Sequence, residues 1–240
     1  SRRYPAIIFD QEREAGDQIL NIENLSSSTD GTILFKNLHL NLAKGDKVVV
    51  YAKDTRALSA LYEILMGERK ADTGSFDWGI TTSQAYLPVD HDHFFEKPMS
   101  LVDWLRQYAK TEEEREEVFI RGFLGKMLFS GEEALKMSNV LSGGEKVRCM
   151  LSKMMMERAN VLLLEEPTNH LDLESITAFN NSLNNFKGTL LCSTSDHAFA
   201  QTLGTRIVEL THNGIIDRHT TFDEYMTDPK IKELREKMLG

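Results

Sequence analysis

Cysteine, proline, long apolar runs and excess positive charge are all scarce in this 240-residue chain, and each scarcity removes a class of protein. The two cysteines, Cys149 and Cys192, stand far apart with no Cys-x-x-Cys pair, which excludes a disulfide scaffold and a thiolate zinc site and fits a reducing compartment. No apolar stretch approaches the roughly 18 residues that a membrane-spanning helix requires; the longest candidate is Val161 to Leu164. Basic residues number 28 against 37 acidic ones, a net charge of −9, so the chain as a whole is no electrostatic trap for nucleic acid, and an RNA contact would need a local basic patch. Hydrophobic residues at 41% and charged residues at 27% exclude intrinsic disorder and low-complexity tracts. These absences leave a globular cytoplasmic protein. The opening Ser1-Arg2-Arg3-Tyr4-Pro5 has neither a starting methionine nor an apolar signal core and reads as an artificial start or a cut inside a longer protein.

The pattern of what is present is α/β. Ile19 to Leu25 and Thr32 to Leu42 alternate as strands around Asp30-Gly31, a hairpin turn signal. Lys47 to Tyr51 is a short buried strand, followed by Leu58, Leu61, Ile64 and Leu65 at helical spacing and a stop at Gly67. From about 98 to 140 the pattern is helical, with capping-box pairs Ser100 with Asp103 and Thr111 with Glu114. A helix carrying Val147, Met150, Leu151 and Met154, the apolar strand Val161 to Leu164, a helix with Ile176, Phe179 and Leu183, and strands at Gly188 to Thr194 and Arg206 to Leu210 follow. His212-Asn213-Gly214 is a type I′ hairpin signal, and the segment after Pro229 reads as a terminal helix, with Lys230 to Lys237 capping it. The acidic run 112–117 is a solvated helix face. Alternating strands and helices imply a mainly parallel core sheet, whose ligands bind beyond the carboxyl ends of the strands.

Two segments carry chemistry. In Leu141-Ser142-Gly143-Gly144-Glu145 a serine and two glycines open a helix, exposing backbone N–H groups at its positive end; Ser142 and Glu145 also have the spacing of a plain capping box. In Leu162-Leu163-Leu164-Glu165-Glu166-Pro167-Thr168-Asn169-His170-Leu171-Asp172, paired carboxylates leave the end of a buried strand, where one can hold a magnesium shell and the other polarise water.

Together these segments resemble the ATP-binding cassette superfamily over residues 15 to 225, and Glu-Pro-Thr-Asn-His-Leu-Asp is similar to its ABC-F subfamily of two-cassette proteins, many of which act at the ribosome. The resemblance implies a P-loop NTPase-like cassette with a mainly parallel core sheet, an N-terminal antiparallel β subdomain and a helical subdomain bearing the signature. Residues 1–14 would end an inter-cassette linker, 15–228 would form the cassette and 229–240 a C-terminal helix, placing the chain as the second cassette. ATP and magnesium are the implied cofactors, with Ser142, Gly143, Gly144 and Glu145 as the signature over ATP held by the partner cassette. Glu165 would be the Walker B metal position with Ser59, Glu166 the residual general base, Ser195 the switch position and Asp172 the D-loop residue.

The chain departs from that pattern at one whole site. A phosphate loop, Gly-x-x-x-x-Gly-Lys-Ser/Thr, uses glycines for left-handed dihedrals, amides to cradle phosphates and a lysine for the terminal charge. Here it reads Ala52-Lys53-Asp54-Thr55-Arg56-Ala57-Leu58-Ser59, keeping only the hydroxyl of Ser59. A left-handed alanine costs about 1–2 kcal/mol and a lost hydrogen bond to a charged group about 1.5–3 kcal/mol, so several such losses weaken ATP binding on the order of a thousandfold. Lys53 or Arg56 offers a substitute charge, neither of them being expected at the helix start. Thr29 replaces a stacking aromatic, the strand from Gln84 ends in Val89 where a glutamine is expected, Ser195 replaces a histidine, and His197 reads as a surface residue. The expectation is a cassette that is inactive or very weak by itself and completes the site of the first cassette, head to tail, in a ribosome-related task. The ATP-binding subunit of a membrane transporter and a nucleotide-free scaffold domain are the alternatives.

Overall fold

The structure, a computed structural model, describes residues 4–240. In chain order, β1 (Gln18–Thr29) and β2 (Thr32–Ala43) precede β3 (Lys47–Tyr51), α1 (Thr55–Leu65), β4 (Thr73–Trp78) and β5 (Gln84–Leu87). Helices α2 (Leu101–Arg106), α3 (Glu112–Arg115), α4 (Glu117–Lys126) and α5 (Gly143–Glu157) come next. Then follow β6 (Val161–Glu165), α6 (Leu173–Asn185), β7 (Thr189–Ser193), α7 (His197–Leu203), β8 (Arg206–Thr211), β9 (Gly214–Arg218), α8 (Phe222–Thr227) and α9 (Pro229–Leu239). Among the described residues two compact units result, one formed by 13–88, 160–166 and 187–240, the other by 4–12, 89–159 and 167–186.

The first unit holds both sheets. Asp30 and Gly31 take positive φ, 49° and 79°, so the turn has the handedness that lets β1 and β2 pair without splaying. With β4 on the other side of β1 they form an antiparallel sheet in the order β2-β1-β4. The larger sheet runs β5-β6-β7-β3-β8-β9, parallel except for β9. Every residue of β6 and β7 is buried, as central parallel strands require. Helix α1 buries Leu58, Leu61, Ile64 and Leu65 in a core shared with both sheets. It stops at Gly67, whose φ of 78° a side chain would resist.

The second unit is helical. Trp104 stacks on Phe95 with ring centroids 4.8 Å apart and donates to the Phe94 carbonyl at 2.7 Å. Arg148 of α5 lies over the Phe129 ring and donates to the Met127 carbonyl. Of the two pairs expected as capping boxes in this stretch, Thr111 and Glu114 form the full reciprocal box; Ser100 accepts from the Asp103 N–H, while the Asp103 carboxylate turns to Arg106 at 2.6 Å. The acidic run, expected as one face, is split between α3 and α4 because Glu116 is extended.

Two local expectations are corrected. The hairpin at His212-Asn213 is not type I′: neither residue has a positive φ, and Gly214 takes it instead at 143°. The strand from Gln84 ends at Leu87, leaving Val89 outside it and 43% exposed. Of residues 1–14, expected as a linker end, 1–3 lie outside the described residues, and the others alternate between exposed positions such as Tyr4, Ile8 and Asp10 and buried ones. Ile7 and Phe9 are buried, Phe9 sets its edge against Phe179 and Phe186, and the Ala6 N–H donates to the Lys126 carbonyl.

Candidate nucleotide site

The loop after β3 is short because α1 begins at Thr55, so Thr55, Arg56, Ala57, Leu58 and Ser59 are helical. Asp54 is the extended residue that caps this helix, accepting the Arg56 N–H at 3.1 Å. Its carboxylate also takes the Arg56 guanidinium, Nη2 to Oδ2 at 2.7 Å and Nε to Oδ1 at 3.0 Å. These bonds hold the Asp54 carboxyl below its ordinary value and raise the Arg56 guanidinium. The Ala57 N–H donates to the Asp54 carbonyl at 3.0 Å. Two amides expected to cradle phosphate are thus already bonded. Contrary to expectation, Arg56 does stand at the helix start, where it is ion-paired with Asp54. Ala52, Ala57 and Leu58 are buried, so the position of the missing lysine faces the core rather than a ligand. Lys53 is exposed beside a cavity of about 500 Å³ that Gly31, Thr32, Asp54, His212 and Leu239 also line.

Around this loop the remaining positions are also engaged. Arg69 donates to the Thr29 hydroxyl and pairs with Glu63 at 3.3 Å, which fills the expected stacking position with polar contacts. Glu165, 4% exposed at the end of β6, receives the Ser59 hydroxyl on Oε2 and the Tyr86 hydroxyl on Oε1 at 2.9 Å. Glu166 follows with a φ of 48°; its N–H donates to the Ser193 carbonyl at 2.8 Å and its Oε2 accepts the Ser195 hydroxyl at 3.1 Å. His197 is exposed at the first turn of α7 with its ring 5.0 Å from that of Phe222. Magnesium keeps near-octahedral oxygen ligands at about 2.0–2.1 Å, and a nucleotide triphosphate needs free amides and a cation. Here the Arg56 and Ala57 amides, the Ser59 hydroxyl and both Glu165 oxygens are already engaged within the chain.

The second unit carries the other motif. Ser142 and Glu145 form a reciprocal capping box, Glu145 N–H to Ser142 Oγ at 3.2 Å and Ser142 N–H to Glu145 Oε1 at 3.0 Å. Burial pushes the Glu145 carboxyl up, yet its ion pair with Lys136 at 2.6 Å and its bonds to Ser142 bring it below the ordinary value. Between them, the N–H groups of Gly143 and Gly144 have no acceptor among the described residues. Both glycines are required by packing: a Cβ at 143 would stand 2.9 Å from the His170 ring, and one at 144 would stand 2.7 Å from the His170 carbonyl oxygen. Asp172 caps α6, accepting the Ser175 N–H at 2.8 Å, and its bonds to Ser175 lower its carboxyl.

Sequence reasoning missed Tyr86, Arg69 and His170. Alternation in β5 puts Tyr86 on the face opposite Ala85 and Leu87, but nothing in the spacing points it at Glu165.

A family model described as ABC transporter matches residues 22–169, more than half of the chain. The chain belongs to that family. The cassette is 50% identical over 234 residues to the ABC transporter ATP-binding protein YkpA of Bacillus subtilis, covering 97% of this chain and 43% of that protein. It is 36% identical to the ATP-binding protein YbiT of Escherichia coli O157:H7, with the same coverage of each chain, 97% and 43%. It is also 28% identical to the energy-dependent translational throttle protein EttA of Haemophilus influenzae, covering 94% and 40%. The chain therefore spans less than half the length of these curated relatives. Among solved structures, a metal-chelate-type ABC transporter in an inward-facing conformation superposes with a TM-score of 0.72 at 19% identity, covering 92% of this chain and 90% of that one. These likenesses confirm the α/β P-loop cassette fold with its antiparallel β part and helical part. Such cassettes bind ATP and magnesium as a class. No described helix is long and apolar enough to cross a membrane.

Proposed function

We propose that this chain is the second cassette of an ABC-F-like protein, silent at its own nucleotide site and supplying its signature to ATP held by a first cassette of the same polypeptide. The observation that carries this reading is the contrast between two helix starts. At α1 the Asp54 carboxylate and carbonyl accept the Arg56 and Ala57 amides, whereas at α5 the Gly143 and Gly144 amides are open. Helix starts with free N–H groups stabilise anions, and a γ-phosphate is such an anion. Ser142, Gly143 and Gly144 are the donors on this reading, and Glu145 holds Ser142 in place. Asp172 orders the loop that packs on them through His170. In the chain's own site, Ala52 to Ser59 stand where phosphates would lie, Ser59 and Glu165 at the metal position, Glu166 at the general base and Ser195 at the switch.

A first cassette in the same polypeptide agrees with relatives of more than twice this length. A role at the ribosome is supported by the Glu166-to-Asp172 wording and by the 28% identity to a protein named as a translational throttle. The test joins the two cassettes and measures steady-state ATP turnover. Turnover above that of the first cassette alone, lost on Ser142→Arg, supports the reading. No gain from joining, or no effect of Ser142→Arg, sinks it in favour of a scaffold. Co-purification of the full-length protein with a membrane partner would favour the transporter reading.

A further inference from the structure

Tyr86 has no part in the reading above, yet its hydroxyl donates to Glu165. Parallel pairing of β5 with β6 sets Tyr86 opposite Leu163, one residue pair before Leu87 opposite Leu164. Its ring stacks on Tyr62 of α1, centroids 5.7 Å apart and planes 22° from parallel, and the Tyr62 hydroxyl is itself donated to the Leu164 carbonyl at 3.2 Å. The ring is therefore held on one side by helix and on the other by strand, with its hydroxyl 2.9 Å from Glu165 Oε1. Ser59 takes Oε2. The extra methylene of a glutamate, compared with an aspartate, lengthens the reach of that carboxylate from the end of β6 towards Tyr86.

We propose that Tyr86 is a specificity-determining residue that keeps divalent cations off Glu165, the two hydroxyls of Tyr86 and Ser59 bridging the carboxylate where a metal ion would otherwise sit. The proposal rests on the reading of Ser59 and Glu165 as the metal position. A buried carboxylate needs compensation, by a cation or by hydrogen bonds. Two hydroxyl donors satisfy both oxygens without an ion, and a hydrated magnesium would have to displace them in a space that leaves Glu165 only 4% exposed. A phenol is a hydrogen-bond donor at neutral pH, and this one is aimed at Glu165 Oε1. Metal exclusion is thus built into the site and does not depend on the missing lysine alone.

Mn²⁺ is the probe, read by the paramagnetic resonance of the free ion over the 240-residue chain, Tyr86→Phe, and Tyr86→Phe with Glu165→Gln. Phenylalanine keeps the stacked ring and removes only the hydroxyl. The expected result is Mn²⁺ affinity at least about tenfold above the unsubstituted chain in Tyr86→Phe, returning to the starting level when Glu165→Gln is added. An affinity unchanged by Tyr86→Phe, or a gain that survives Glu165→Gln, overturns the proposal. A readout that needs no folded variant is the NMR line width of the Tyr86 ring in the unsubstituted chain. Lines left sharp by Mn²⁺ support exclusion, and selective broadening at substoichiometric Mn²⁺ overturns it. Micromolar Mg-ATP binding by the unsubstituted chain would instead overturn the reading of a silent site, a result separable from either Mn²⁺ outcome.

Discussion

Each departure at the nucleotide site has a different physical consequence for the residue concerned. Leu58 is buried in the α1 core, so Leu58→Lys places a charge among apolar side chains and does not rebuild a phosphate loop. We expect it to lower stability by about 2 kcal/mol or more with no gain in ATP affinity, checked by urea unfolding and calorimetry on the same preparation. The signature glycines behave differently from each other. At 144 a methyl group meets backbone, the His170 carbonyl oxygen at 2.7 Å, while at 143 it meets a side chain that can rotate. Gly144→Ala should therefore cost about 1–3 kcal/mol despite alanine's better helix propensity, and Gly143→Ala less, as measured by the urea midpoint. The type of these residues could be read from the wording of the motif; that His170 closes on them could not, because the contact joins segments separated in sequence.

Among elements, helix starts carry much of the electrostatics. Asp54 and Asp172 cap α1 and α6, Glu145 completes the box at α5, and all three carboxyls are held below their ordinary values. A depressed folded-state value contributes stability that is present above the unfolded value and lost as pH falls through the folded one. The melting temperature should accordingly fall as pH drops below about 4, and Asp172→Asn should flatten that fall; a melting temperature independent of pH down to 3 would contradict it. At the other end of the chain, α8 and α9 are tied to β8 by one carboxylate. Glu209, fully buried, accepts the Tyr225 hydroxyl at 2.5 Å and the Arg235 guanidinium at 2.6 Å. Arg235→Ala strands a buried carboxylate with one donor and should cost about 3 kcal/mol, seen as a lower urea midpoint at pH 7. Helical and strand periods announced most elements: the Asp30-Gly31 hairpin, the apolar β6 and the α5 face all form where the pattern placed them. The end of β5 and the turn at His212 did not follow their local signals. Strand ends are set by where the neighbouring strand stops pairing, and turn type by the twist that the paired strands accept.

For the whole molecule, the distinguishing quantity is nucleotide affinity. The chain should show no Mg-ATP binding by calorimetry at protein concentrations that detect dissociation constants near about 1 mM. Micromolar binding would mean that Asp54 and Tyr86 give way and that hydrolysis must be measured. The order of strands and helices, the membership of the cassette family and the loss of the phosphate-loop lysine were all carried by linear pattern, since periodicity and motif spacing are properties of neighbouring residues. Which groups of that site are bonded to one another was not. Arg56 is held by the Asp54 carboxylate beside it, and Glu165 meets Tyr86, whose strand lies beside that of Glu165 although 79 positions separate the two residues. Local chemistry names the groups available to a site; packing brings distant groups within hydrogen-bond reach and so settles which of them are already spoken for.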